Sequence, residues 1–219
     1  RLDSPETATV KPLDAKRNAD GTVTVTTTQE CRYANGKITT DYVYTMDADG
    51  SVDFSATYTP EGQLPPLPCI GNTFLMDKDM TRLSWYGQGL QDSYVDRLEA
   101  TGIGRWTSSV DQEYVHYPRP QSSGNHEQTV TLSLTDAKGR GYTVTTANAT
   151  PFAFSALPYS EHQLSTVAHD CDLHTENNVF LNIDAAMMGL GNSSCGPGVL
   201  TKYSIPQKQH SLHVMFKRK

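Results

Sequence analysis

Three observations predict an antiparallel all-β sandwich with at most one or two short helices: period-two alternation in threonine-rich runs, hairpin-type turns between them, and little helical spacing. The first run, residues 22–28 (TVTVTTT), alternates cleanly, and Asn35-Gly36 then supplies the pair that favours positive φ in a tight hairpin turn before KITTDYVYT returns. A second turn at 47–50 (DADG) leads into SVDFSATYT, where Val52, Phe54, Ala56 and Tyr58 share one face and Ser51, Asp53, Ser55 and Thr57 the other. Three consecutive antiparallel strands follow from this. The proline cluster at 60–68 (PEGQLPPLP) predicts a loop that wraps a sheet edge or joins two sheet regions. Val130, Leu132 and Leu134 alternate with polar neighbours, DAKG at 136–139 reverses the chain, and GYTVTTA pairs back. Near the end, Leu212, Val214 and Phe216 form the apolar face of a last strand. The best helical candidate is 160–169 (SEHQLSTVAH), where Ser160 is placed as an N-cap before Leu164, Val167 and Ala168. Sixteen glycines and twelve prolines fit many turns and few helices.

The 219 residues suit one large β domain or two small ones, and they read as one sandwich over 1–219. The formal net charge is −6 and the cations are dispersed apart from Lys217, Arg218 and Lys219, so there is no basic footprint for nucleic acid. Apolar runs are only a few residues long and no charged-then-apolar leader opens the chain, which predicts a soluble protein without a membrane span. The first residue is Arg1 rather than Met, and a larger parent polypeptide is expected. Cys31, Cys69, Cys171 and Cys195 allow three disulfide pairings and contain no CxxC spacing.

Two long stretches say more than periodicity does. The run LSWYGQGLQDSYVDR (83–97) resembles the W-[YF/L]-G-x-G-P-x-E-x-Y-x-D-R stretch in the C-terminal β domain of family 2 β-galactosidases. The run FAFSALPYSEHQLSTVAHDCDL, continuing to FLNIDAAMMGLGNSSCGPG (152–198), is similar to that domain's F-x-F-S, helix, L-N-[IL]-D-x-x-x-M-G and D-S-W-x-P sequence. Between them, YPRPQSSGNHEQTVTLSL (117–134) resembles the family's P-Q-E-x-G stretch. The resemblance implies a galactose-mutarotase-like supersandwich at the end of a β-galactosidase whose catalytic α/β barrel lies outside this chain. It implies partnership with the remaining domains or a large subunit, a galactoside as substrate, and a parent able to form a homo-oligomer. It implies no cofactor in this chain, with Mg and Na belonging to the absent domains, and a bacterial enzyme of the cytoplasm or periplasm.

The departures bear on function. Leu90 stands where the family has Pro, Asp92 where it has Glu, and Ser122 where P-Q-E-x-G has Glu. NSSCGP (192–197) is one residue short of the family pattern, which places Cys195 at the position of the Trp through which this domain reaches the substrate. A Cys offers a sugar no broad apolar platform.

Retaining glycoside hydrolysis needs two carboxyl groups about 5–5.5 Å apart, and no catalytic pair is predicted here. Most acids sit in turns or in the charged stretch around Asp92, Asp96 and Glu99, and read as solvated. Asp96 and Arg97 are the exception, expected as a buried ion pair that orders its loop or, secondarily, as a substrate contact. Trp85 and Tyr86 are expected as a core or loop anchor, or as a sugar contact, and Trp106 is expected beside Arg105. The glycine-rich loop 189–198 carries the side chains Asn192, Ser193, Ser194 and Cys195. It reads as a substrate rim, or as a structural loop held by burial of Cys195 or by a disulfide. HDCDLH (169–174) tempts a metal reading, but strand geometry splits its ligands between two faces, so no metal is expected.

Two rival functions remain in view. One is a galactoside-binding module using a concave face lined by Tyr42, Tyr44, Trp85 or Tyr86. The other is an aldose 1-epimerase-like enzyme with His116, His126 or His169 as base, which rests on fold analogy alone.

Overall fold

The computed structural model describes residues 5–193 and 195–219. Fourteen strands and two short helices make up its regular structure: β1 (Thr7–Val10), β2 (Asp14–Arg17), β3 (Val23–Tyr33), β4 (Gly36–Met46), β5 (Val52–Gly62), β6 (Cys69–Asp77), β7 (Arg82–Gly89), β8 (Gly102–Ser109), α1 (Val110–Glu113), β9 (His126–Thr129), β10 (Thr131–Thr135), β11 (Gly141–Thr146), β12 (Phe152–Leu157), α2 (Glu161–Thr166), β13 (Asn178–Met187) and β14 (His210–Arg218). The large sheet runs β1-β3-β4-β5-β14-β11-β10-β7-β8, with β2 also pairing β3, and the small sheet runs β6-β13-β12-β9. The ladders are antiparallel throughout.

The hairpin β3–β4–β5 forms as the alternation predicts, with Tyr44 opposite Val25 and Phe54, and Tyr42 opposite Thr27 and Ala56. Phe54, Ala56 and Tyr58 are buried on the face assigned to them. β14 inserts between β5 and β11, bringing Leu212, Val214 and Phe216 onto the same inner face. From the small sheet, Phe152, Phe154, Ala156, Val179, Leu181 and Ile183 complete the core between the layers. The proline segment joins the two sheets rather than wrapping an edge: Leu64 and Leu67 are buried while the chain crosses from β5 to β6.

The helix is shorter than its sequence signal. It spans Glu161–Thr166, with the Ser160 hydroxyl accepting from the Gln163 N–H at 3.2 Å as an N-cap. Val167 and Ala168 lie beyond it, and HDCDLH forms a single 3-10 turn over Asp170–Asp172 instead of a strand. Three tandem acidic and polar side chains satisfy a turn more readily than a ladder. α2 caps the outer face of the small sheet, where Tyr114, Leu157 and Leu164 form a second, smaller apolar cluster.

Candidate functional site

The three stretches that carry the family likeness meet at one end of the small sheet. Residues 90–97 follow β7, and the Ser93 N–H donates to the Asn125 carbonyl at 2.6 Å. In return the Asn125 side-chain amide donates to the Ser93 carbonyl at 2.8 Å, and the Glu127 N–H donates to the Ser93 hydroxyl at 2.9 Å. Loop 90–97 is thereby stitched to the segment leading into β9.

The same loop holds the base of 189–198. The Asp96 carboxylate accepts from the backbone N–H of Leu190 at 3.2 Å and of Gly191 at 2.8 Å, while the Arg97 guanidinium donates to the Gly191 carbonyl at 3.0 Å. Asp96 and Arg97 therefore order a loop by gripping the backbone of a distant segment, and the expected buried Asp–Arg pair is not formed: Arg97 is exposed. Two glycines permit the close approach. A Cβ at Gly189 would lie 2.7 Å from the Asp96 carboxyl carbon, and Gly191 adopts φ +62°. The loop then closes on itself, with the Asn192 N–H donating to the Pro197 carbonyl at 3.0 Å and the Gly196 N–H to the Asn192 carbonyl at 2.6 Å. Asn192, Ser193 and Cys195 are exposed at its tip, so burial of Cys195 is not what holds it, and Ser194 lies outside the described residues. Cys31, Cys69 and Cys171 are unbridged thiols.

Trp85 is an anchor of the core. Its ring is buried against His126 and Phe154, at centroid distances of 4.3 and 5.7 Å, and its indole N–H donates to the Gln88 carbonyl at 2.8 Å. Tyr86 points to the opposite face and is 39% exposed, with the Arg105 guanidinium 5.6 Å above its ring. Trp106 does not pack beside Arg105; it lies along a row of glycines and donates to the Gly87 carbonyl at 3.2 Å. Tyr42 stacks with Phe54 at 6.3 Å and Tyr44 packs tilted against it at 5.0 Å. The four rings proposed for a concave aromatic platform thus do not share one exposed face.

The histidines are equally informative. His126 is fully buried and its Nε2 pairs with the Glu113 carboxylate at 2.5 Å, which takes it out of reach of any ligand in solution. His116 pairs through Nδ1 with Asp170 at 2.9 Å on the surface. No group of three or more His, Cys, Asp or Glu side chains among the described residues is placed to hold a metal ion.

A cavity of about 500 Å³ opens where the three stretches meet, on the outer face of the small sheet. Tyr94, Ser122 and Asn125 wall it from the loops, Glu161 from α2, Ser155 and Asp184 from the sheet, and Met188 to Leu190 lead from it into the rim loop. Asp184 is the least expected member. It is 4% exposed, and its carboxyl is raised to about 8 by burial first, and then by the negative charge of Glu127 and Glu161. Burial likewise pushes Glu127 up to about 7, against the lowering effect of the Asn125 amide. Sequence reasoning treated most acids as solvated and passed over these two, together with the buried Glu113. Alternation in VFLNID places Asp184 on the face opposite Val179, Leu181 and Ile183, but only the segments that cover that face reveal its burial.

The fold and site define an antiparallel all-β domain in which Asp96 and Arg97 clamp the base of a glycine-rich loop. Comparison with known proteins identifies the family: residues 3–216 match the beta galactosidase small chain family, and the chain belongs to it. Over 186 residues, 83% of this chain, it is 35% identical to beta-galactosidase BgaC of Bifidobacterium adolescentis. It is 34% identical over 148 residues to a beta-galactosidase of Streptococcus thermophilus and 31% identical over 163 residues to one of Kluyveromyces lactis, matches that cover 68% and 74% of the chain. The aligned region spans only 14–17% of the length of those relatives. Among the described residues, no helix is long and apolar enough to cross a membrane.

Proposed function

We propose that this chain serves as the C-terminal or small-chain part of a β-galactosidase, packing on a catalytic barrel beyond these 219 residues and closing one wall of its galactoside pocket with loop 189–198. The observation that carries this reading is the clamp of Asp96 and Arg97 on residues 190–191, which spends two charged side chains on fixing the shape of an exposed loop. Catalysis falls to the barrel. The buried carboxyls Asp184 and Glu127 are both held toward the protonated form, so neither is the readily ionised nucleophile that retaining hydrolysis requires. With Cys195 at the tip, the loop contributes shape and hydrogen-bonding groups rather than an aromatic platform.

The test is galactoside hydrolysis by the β-galactosidase that carries this chain. Replacing 192–198 by a short glycine linker is expected to raise KM for nitrophenyl galactoside about tenfold, a loss of roughly 1.4 kcal/mol in substrate binding. Unchanged kcat and KM in that variant, or hydrolysis by the 219-residue chain alone above a buffer control, would overturn the proposal.

A further inference from the structure

Three acids converge around the cavity beside the clamp, and no cation stands among them. Asp184, on the outer face of β13, is 4% exposed and lines the cavity together with Glu161 of α2. Glu127, 9% exposed, belongs to β9, two strands away from Asp184. Only Ala153 of β12, opposite Asp184 in the ladder, intervenes, so no bulky side chain shields one acid from the other. No Lys, Arg or His side chain among the described residues lines the cavity, and none of the three acids is in an ion pair there. Negative charge gathered in a half-buried site calls for a counter-charge.

An independent observation comes from Asn125, which is 2% exposed and also lines the cavity. Its amide nitrogen donates to the Ser93 carbonyl at 2.8 Å and to the Glu127 carboxylate at 3.2 Å, whereas its Oδ1 accepts from no group. A buried acceptor left unpaired is costly, and a donor that reaches it relieves that cost. The complementary group is therefore a positively charged hydrogen-bond donor. A metal ion fits less well, because no three acidic, His or Cys side chains among the described residues are placed to hold one. The apolar wall of Leu67, Met187 and Met188 decides further: it has no use for a bare ion but covers the stem of a long basic side chain. A guanidinium is weakly hydrated and presents five N–H donors in one plane, which suits acceptors spread over a floor and a wall.

We infer that this cavity is a socket for an arginine side chain of the catalytic part that this chain packs against, its guanidinium meeting Asp184, Glu161 and the Asn125 Oδ1. The inference rests on the small-chain reading above and names one contact through which the packing is made. Met188 leads from the cavity toward loop 189–198, so an arginine seated here also steadies the root of that loop. In the free chain, burial and the charges of Glu127 and Glu161 hold Asp184 toward its protonated form, so docking a cation releases a proton and tightens as pH rises toward 8. Tyr33 and Tyr94 line the cavity, and Tyr58 of β5 and Cys69 of β6 bear on Asp184; burial keeps Tyr58, Cys69 and Tyr94 neutral over that range.

Amide chemical-shift titration of the 219-residue chain with N-acetyl-arginine amide tests the socket, with N-acetyl-citrulline amide as the uncharged isostere and MgCl2 as an inorganic cation. The arginine probe is expected to bind saturably in the millimolar range, shifting the amides of Tyr94, Asn125, Asp184 and Met188, and about three- to tenfold tighter at pH 8 than at pH 6. The citrulline probe is expected to bind at least about tenfold more weakly. Asp184→Asn is expected to weaken the arginine probe about tenfold and remove its pH dependence, and Glu161→Gln to weaken it about threefold. Asp136→Asn, in the β10–β11 turn, is expected to leave it unchanged. Absence of saturable shifts, equal binding of citrulline, Mg at lower concentration shifting the same amides, or binding indifferent to Asp184→Asn overturns the socket. The source of the arginine is tested in the β-galactosidase that carries this chain. There Asp184→Asn removes an ion pair and is expected to lower the temperature of half-inactivation more at pH 8 than at pH 5, whereas in the isolated chain its effect on stability runs in the opposite sense. The same sense in both overturns the assignment to the catalytic part. None of these readouts involves residues 192–198, so the socket can fail while the effect of that loop on KM stands, and the reverse.

Discussion

At Asp96 one carboxylate satisfies two backbone N–H groups in a segment about 94 residues away, each on its own charged oxygen. Hydrogen bonds to a charged acceptor contribute about 1.5–3 kcal/mol each, so their removal is enough to free the base of loop 189–198 without unfolding the sheets behind it. Asp96→Ala is therefore expected to increase amide hydrogen exchange at residues 190–192 by about ten- to a hundredfold while leaving β10 and β14 protected. Arg97→Ala removes one bond from an exposed guanidinium and is expected to have a smaller effect on the same amides. Equal exchange in wild type and Asp96→Ala would show that the loop holds its shape through its own turn bonds alone.

At the scale of elements, legibility followed local chemistry. The β3–β4–β5 hairpins were readable because Asn35-Gly36 and the DADG turn set the register and because alternating Val52, Phe54, Ala56 and Tyr58 face the core. β8 was not, since GIGRWTSS alternates glycine instead of apolar residues, and the Trp106 ring lies over Gly104 of β8 and Gly89 of β7. β9 was missed because HEQT is polar by composition yet buried through Glu113 and Ser93, partners that no window of the sequence contains. The same limit governs the site: the importance of Asp96 and Arg97 was visible in the family-like stretch, but their grip on residues 190–191 was not. α2 shows how a cap sets a boundary. The Ser160 hydroxyl anchors the start, and Gln163 ties the helix to the His174 carbonyl at 3.0 Å, so one side of the cavity depends on a helix of under two turns. Ser160→Ala is expected to cost about 1 kcal/mol of stability in urea unfolding. Leu132→Ala, in the fully buried centre of β10, is expected to cost about 2–5 kcal/mol, and a reversed order would mean that the α2 region rather than the intersheet core limits unfolding.

For the molecule as a whole, buried carboxyls set the direction in which stability responds to pH. Asp184, raised from 3.8 to about 8, stays protonated in the folded chain over a range where the unfolded chain has already released that proton. Glu127 behaves alike, moving from 4.5 to about 7, and Glu161 adds to the negative field on Asp184 from the opposite wall. Below the unfolded value both states hold the proton and these groups contribute nothing. As pH rises through the interval the folded state binds more protons than the unfolded state, so stability falls, and the fall ends once the folded carboxyl ionises near its raised value. Surface acids such as Asp136 and Glu176, lowered chiefly by hydrogen bonds, act in the opposite sense, but their contribution is lost only as pH drops into the acid range. The two effects therefore occupy different windows. The chain is expected to lose stability between about pH 5 and pH 8, by at most roughly 1.4 kcal/mol per pH unit for each fully shifted group. Asp184→Asn, which cannot ionise, should flatten that slope and make the variant more stable than wild type at pH 8 than it is at pH 5. Urea midpoints measured across this range for both proteins decide the matter, and parallel curves would mean that Asp184 reaches solvent or a partner in solution and carries no raised pKa.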